Sequence, residues 1–258
     1  MEFSRLGSIV LKQPVALDMK HAMLYGRSGA GKSLIMKATI AESAISEDIK
    51  LHLLPGLHNL KRLLKASDFR VVASERSWRM ARIGGSTARL VVERDGERRR
   101  YNISVGSQPD LQRLLSDPEF AEKVNGFFSS WRIGIEVYGG FYRERDGEWI
   151  KVVNLPYSYR RIIAMLYALE KCDVVFIEAF DSGLHMSMLK YLIEHISTEY
   201  KDKVVVVEAH HTPGIVFTLG RGWIVYVIER HKITKLERIE DIKNTDIFSR
   251  ELAEVRHL

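Results

Sequence analysis

Eight consecutive residues, Gly26-Arg27-Ser28-Gly29-Ala30-Gly31-Lys32-Ser33, match the pattern G-x-x-x-x-G-K-[ST] at every fixed position. The chemistry requires those types at that spacing. Glycines let the backbone turn so that successive N–H groups face one point, and a following helix aims its positive end at the same point, so the main chain binds phosphate oxygens. In such a loop Lys32 reaches the β- and γ-phosphates of a nucleoside triphosphate, and the Ser33 hydroxyl ligates Mg²⁺. A chance match in a chain of this length is on the order of 1%. The alternative, a Gly-rich turn that only caps a helix, is therefore the weaker reading.

A loop that handles Mg²⁺ and a triphosphate also needs a carboxylate at the end of a neighbouring apolar strand, and often a second group to orient the attacking water. Val174-Val175-Phe176-Ile177 is such a strand, and Glu178 ends it. Ala179-Phe180-Asp181-Ser182-Gly183-Leu184-His185 follows. A second apolar run, Val204 to Val207, ends in Glu208-Ala209-His210-His211-Thr212-Pro213. Upstream, Leu155-Pro156-Tyr157-Ser158-Tyr159-Arg160-Arg161 leads into a helical pattern.

In this order the four segments resemble the ABC-type ATPase heads of the SMC/RecF-like kind. The resemblance covers the first 45 residues and Leu155 to about Glu229. Anchored on Leu184-His185, it puts Glu178 at the magnesium-holding acid, Asp181 at the second acid and Ala179 at the catalytic glutamate. An alanine cannot orient a water, and loss of a general base commonly costs about 10²–10⁴ in rate. The resemblance therefore implies slow hydrolysis, with Asp181 or Glu208 as the groups that could substitute. Aligned on Pro213, His211 rather than His210 takes the place of the histidine that contacts the γ-phosphate.

Residues 155–161 are similar to the signature segment S-x-G-x-x-R/Q, which in that family binds the γ-phosphate held by the opposite subunit. Ser158 stands where the glycine would be. The contact is then left to the Ser158 hydroxyl with Arg160 or Arg161, unless the segment is an ordinary capped helix with solvated arginines. Gln108 and Gln112 are the candidates for the family's glutamine loop. The resemblance implies ATP and Mg²⁺ as cofactors, and as partner either a second copy of the chain or another ATPase subunit. It implies a Mg-ATP-dependent dimerisation switch acting on nucleic acid or on a partner protein. A non-hydrolysing scaffold subunit is the alternative, and a P-loop phosphotransferase a more distant one.

The elements that must position these residues are readable in outline. His21 to Tyr25 is a short apolar run before the loop, and Ser33 to Ile45 carries apolar residues at helical spacing, giving strand, loop, helix. Residues 57–66 and 73–82 read as helical, and residues 88–105 as a hairpin turning at Asp95-Gly96. A helical stretch near Pro109–Phe128 precedes a second hairpin, 133–153, turning at Asp146-Gly147. Both hairpins read as polar and edge-like. From Tyr157 onward helices alternate with wholly apolar strands, the pattern of a parallel sheet buried on both faces. A strand pair at 222–230 and 232–239 and a last helix over Ile239–Val255 end the chain.

The expected class is α/β, a P-loop NTPase of the ABC-head type with a mostly parallel central sheet, antiparallel hairpins and a small helical insertion. One domain over 1–258 with a basic insertion at about 49–153 is the simplest organisation. That span is too short for a long coiled-coil arm.

The 258 residues, 46% apolar and 28% charged, exclude wholesale disorder. A single cysteine, Cys172, excludes an internal disulfide and a cysteine zinc cluster. No run of about 18 uncharged apolar residues occurs and no signal-like start is seen, so a cytoplasmic protein without membrane insertion is expected. The net charge of +6 is local: residues 58–100 hold twelve Lys/Arg against five acids, +7, which leaves −1 for the rest. With Phe69, Trp78 and Tyr101 nearby, that segment could bind nucleic acid, Arg98-Arg99-Arg100 being the plausible contact, or dock an acidic partner.

Overall fold

The computed structural model describes residues 2–6, 9–42, 47–54, 69–70, 79–94, 97–229 and 232–246, with side chains from Leu17 onward except at Glu42, Glu47, Phe69, Arg70, Arg94 and Asn244. Its centre is an eight-stranded sheet in the order β14-β13-β3-β12-β11-β5-β6-β7. The strands are β3 (His21–Tyr25), β5 (Met80–Ile83), β6 (Thr87–Arg94), β7 (Glu97–Ser104), β11 (Val174–Ile177), β12 (Val204–Ala209), β13 (Ile224–Glu229) and β14 (Lys232–Leu236). The ladders β13/β3, β3/β12, β12/β11 and β11/β5 are parallel, and β14, β6 and β7 add antiparallel strands at the two edges. A sheet of this kind must be covered on both faces, and the wholly buried run VVFI of β11 and the buried Val205-Val206-Val207 of β12 fit that demand.

The two faces hold separate apolar clusters. Helix α1 (Lys32–Glu42) and the short α2 (Glu47–Leu53) cover one, where Ile35, Met36 and Leu53 pack on Leu24, Met80, Phe176 and Val206. Helices α3 (Gln108–Leu115), α4 (Pro118–Ser130), α5 (Tyr157–Lys171), α6 (Met186–Glu199) and α7 (Thr212–Leu219) contribute to the other, over Met23, Ile83, Ile177 and Val207. A break at Asp117-Pro118 separates α3 from α4: Asp117 caps the second helix by accepting from the Phe120 N–H, and Pro118 opens it. The single stretch expected at 109–128 is thus two helices.

Other departures come from tertiary contacts. The segment 73–82 ends in a strand, because Met80 and Ala81 are buried in the sheet and only Arg82 keeps a polar role there. The hairpin of β6 and β7 is not free-standing: Ala88, Leu90 and Val91 are buried against β5, so β7 alone is the edge. The span expected as an insertion therefore supplies three strands of the central sheet. The second hairpin is a three-stranded sheet, β8 (Ile135–Tyr138), β9 (Phe141–Glu144) and β10 (Ile150–Lys151), whose first turn is Gly139-Gly140. Gly140 has φ 90°, and a Cβ there would lie 2.6 Å from Cβ of Gln112. Asp146-Gly147 lies in the second connection, between β9 and β10.

A third small sheet joins β1 (Glu2–Leu6), β2 (Ile9–Ala16) and β4 (Phe69–Arg70), unforeseen in the sequence. The last helix starts as a 3-10 segment at Ile239–Asn244. That segment ends at an extended Thr245 (φ −127°, ψ 151°), so the expected helix does not run on through it, and residues 247–255, like the helix expected at 57–66 and the Asp95-Gly96 turn itself, fall outside the described residues.

Candidate functional site

Four parallel strands, β3, β12, β11 and β5, end at the same edge of the sheet, where ligands bind in open α/β folds. The loops leaving them are the phosphate loop, His210-His211, residues 178–185 and Gly84-Gly85. Strand alternation decides which side chains face it. Leu24, Val206, Phe176 and Met80 point to the α1 side, so the residues two steps along, Glu208, Glu178 and Arg82, lie on that side as well. Val207 pairs with Ile177, which puts Glu208 and Glu178 next to each other at the ends of adjacent strands.

The phosphate loop is shaped by glycine. A Cβ on Gly26 would lie 2.4 Å from the Ile228 carbonyl oxygen, and Gly31, with φ 104°, turns the chain into α1 through a conformation L side chains rarely adopt. Arg27, Ser28 and Gly29 are exposed at the tip, and Ala30, Gly31 and Ser33 are half-buried. Lys32 is 3% exposed, and its Nζ donates to the carbonyls of Gly26 at 2.5 Å and Arg27 at 3.0 Å. Burial lowers its pKa, while Glu208 and Asp181 oppose that shift by favouring the ammonium.

The Ser33 hydroxyl donates to Oε2 of Glu208 at 2.8 Å, and Glu208 is 5% exposed. Oε1 of Glu208 lies 3.6 Å from Nε2 of His210, whose Nδ1 is 3.3 Å from Lys32 Nζ. The ring facing the loop lysine is thus that of His210, not His211. His211 is the N-cap residue of α7, and its backbone N–H is directed to Asp181. α7 begins at Thr212, ahead of Pro213, so His211 serves as its N-cap and the ring facing the loop is one position back, at His210.

Glu178, on the same side, has a different partner. Its Oε1 accepts from Arg82 Nε at 3.1 Å and Nη2 at 2.7 Å, and Arg82 also donates to the Leu53 carbonyl at 3.1 Å. Ala179 takes a left-handed φ of 47°, starting the turn away from the sheet. Asp181 is 3% exposed; its Oδ2 accepts from the N–H groups of His210 (2.7 Å) and His211 (2.6 Å). Among the described residues its Oδ1, also buried, has no hydrogen-bond partner. Phe180 N–H donates to the Glu208 carbonyl at 2.7 Å, so the loop after β11 is stapled to the end of β12.

Arg161 holds this loop from behind. It is fully buried and donates to the carbonyls of Glu178 (2.5 Å), Ser182 (3.1 Å) and Phe180 (3.5 Å). Desolvation lowers its pKa, opposed by Tyr157 and Asp181. Arg160 donates to the Val105 carbonyl at 2.6 Å, so both arginines of the signature-like segment face inward. Ser158 lies half-buried in the first turn of α5, a helix that opens at Pro156 with no side-chain cap. Gln108 donates to Gly140 O in the turn of the small sheet and accepts from Val153 N–H in the 3-10 segment after it, and Gln112 packs against Gly140. Neither reaches the phosphate loop through these contacts.

Arg82, Arg161 and His210 are the site residues that sequence reasoning passed over or placed differently. Arg82 and Glu178 are 96 positions apart and nothing local announces their pairing. The residues present fit a magnesium nucleotide: backbone N–H groups and an ammonium for phosphate, and a hydroxyl beside a carboxylate as hard oxygen donors. Among the described residues no group of three or more His, Cys, Asp or Glu could hold a metal ion.

The fold with this loop is that of the ABC-type P-loop ATPase heads. A bacterial Atm1-family ABC exporter with ATP bound is 12% identical with a TM-score of 0.55, over 95% of this chain and 38% of that one. An SMC head bound to the C-winged helix domain of ScpA is 9% identical with a TM-score of 0.52, over 94% of this chain and 98% of that one. The chain thus spans well under half of the exporter's length and nearly all of the SMC head's. No protein-family model and no curated protein sequence matches it. Among the described residues no helix is long and apolar enough to cross a membrane.

Proposed function

We propose that the chain is a Mg-ATP-binding head of the SMC/RecF-like kind, in which bound ATP acts as a dimerisation switch and turns over slowly. The observation that carries this is the run of contacts at the mouth of a phosphate loop that links Lys32 to His210, His210 to Glu208 and Glu208 to Ser33. In this reading Lys32 leaves the Gly26 and Arg27 carbonyls for the β- and γ-phosphates. The loop N–H groups bind the phosphates, the His210 ring faces the γ-phosphate end, and Ser33 holds the cation. Mg²⁺ supplies charge neutralisation between the phosphates. Ala179 leaves the water-orienting position without a functional group, which supports slow turnover.

The uncapped start of α5 with Ser158 supports a contact to the γ-phosphate of a partner subunit, a second copy or another ATPase chain, through helix N–H groups and the hydroxyl. The arginines proposed for that contact are not free to make it, being engaged inside the chain. A second reading, a nucleotide-dependent scaffold that never turns over, is favoured by Ala179 and by the engagement of Glu178 with Arg82. The client is a nucleic acid or a protein. Among the described arginines of the basic segment, Arg98 and Arg100 pair with Asp48, and Arg99 with Glu97, so less of that charge is surplus than the sequence suggests.

The test follows labelled ATP bound to purified protein with Mg²⁺ over time, alongside sedimentation. ATP that persists and drives a monomer-to-dimer shift, both lost in Lys32→Ala, is the expected result. Rapid conversion to ADP would reject slow turnover, and an unchanged sedimentation coefficient would reject the switch.

A further inference from the structure

We propose that Glu208, and not Glu178, is the carboxylate that serves the bound Mg²⁺ together with Ser33. The inference rests on the ATP-binding reading and concerns which acid completes that site. Two carboxylates end adjacent strands on the same face, so either could be reached from the loop in principle. Their partners separate them. Oε2 of Glu208 is already 2.8 Å from the Ser33 hydroxyl, so the two hard oxygens a cation would use stand side by side. Glu178 has its near oxygen engaged by two nitrogens of Arg82, and the two side chains are only 15% and 18% exposed. Freeing Glu178 would strand a largely buried guanidinium, which is costly.

Topology points the same way. β12 is hydrogen-bonded directly to β3, the strand that feeds the loop, whereas β11 is one strand further out, roughly 5 Å more distant at the usual strand spacing. The remaining oxygen of Glu208 faces His210, and His210 faces Lys32, so Glu208 links the cation-binding hydroxyl to the phosphate-facing ring. Asp181, the third acid nearby, has Oδ2 committed to the backbone of His210 and His211 and acts by fixing where that ring sits. Arg82 is then the built-in counter-cation of Glu178.

The test measures affinity for a fluorescent ATP analogue in EDTA and in Mg²⁺, and Mn²⁺ binding by electron paramagnetic resonance, for the wild type, Glu208→Gln and Glu178→Gln. Glu208→Gln is expected to keep its metal-free nucleotide affinity, to lose the gain that Mg²⁺ gives, and to bind Mn²⁺ roughly 10–100-fold more weakly. Glu178→Gln is expected to stay within about threefold of wild type in both, as a residue outside the cation's reach should. Loss confined to Glu178→Gln, or equal loss in both, overturns the proposal. Glu208→Asp keeps the charge and should recover part of the metal dependence; no recovery in this variant also counts against it. A wild type that binds no nucleotide in either condition rejects the ATP reading itself, a result distinct from all of these.

Discussion

Replacing Arg161 by alanine isolates what holds the loop that carries Ala179 and Asp181. The guanidinium is fully buried and donates to two carbonyls at 2.5 and 3.1 Å and to a third at 3.5 Å. Hydrogen bonds from a charged donor contribute about 1.5–3 kcal/mol each, and a buried acceptor left without a partner costs about 1–3 kcal/mol. Against this, the lowered pKa records that burying the charge is itself unfavourable, and the alanine removes that cost. With two well-formed bonds lost and the desolvation cost returned, the net destabilisation is about 3 kcal/mol. For a chain of this size that is a fall in melting temperature of about 6–12 °C. Arg161→Lys keeps the charge but cannot span all three carbonyls, so it should fall between alanine and wild type. Thermal unfolding followed by circular dichroism reads the difference. An Arg161→Ala melting temperature within about 2 °C of wild type would refute the idea that these bonds hold the loop.

Cys172 is buried and its thiol is pushed up to about 12 by desolvation, so iodoacetamide should leave the native protein unlabelled at pH 8 and label one site once the chain is unfolded in urea. Burial lowers the pKa of His21 and of His195, the latter against the pull of Glu199 and Glu170. The unfolded chain then takes up protons first, so stability should fall as pH drops through about 6.5 and level off below the lowered native values. In His195→Phe, which keeps a ring against Phe127, urea midpoints between pH 7.5 and 5 should fall less steeply. Ala179→Glu restores a water-orienting carboxylate, and phosphate release should rise by about 10²–10⁴. No rise would mean that the surrounding site, with Glu178 held by Arg82, is not built for hydrolysis.

The apolar runs of β3, β11, β12 and β13 were legible because a strand buried on both faces needs no alternation, and the loop was legible because phosphate binding fixes residue types at fixed spacing. β5 was not. Arg79-Met80-Ala81-Arg82 reads as one face of a charged helix until β11 is known to lie beside it, when Arg82 becomes the partner of Glu178. The same tertiary pairing turned β6 from an edge into an interior strand, paired with β5 on one side and β7 on the other, with Leu90 and Val91 buried in the clusters on its two faces. At Gly139-Gly140 the decisive constraint was the close approach of Gln112, a contact no dipeptide rule contains. The placement of His210 rather than His211 beside Lys32 was decided by where α7 begins, a one-residue shift that a proline anchor does not resolve.

The central claim is that this loop binds a nucleoside triphosphate. Isothermal titration of ATP into the purified chain, in parallel with Lys32→Ala of matched thermal stability, tests it most directly. One ATP per chain with binding lost in the variant is the predicted result. Equal heats for the two proteins, or none for the wild type with or without Mg²⁺, would contradict it.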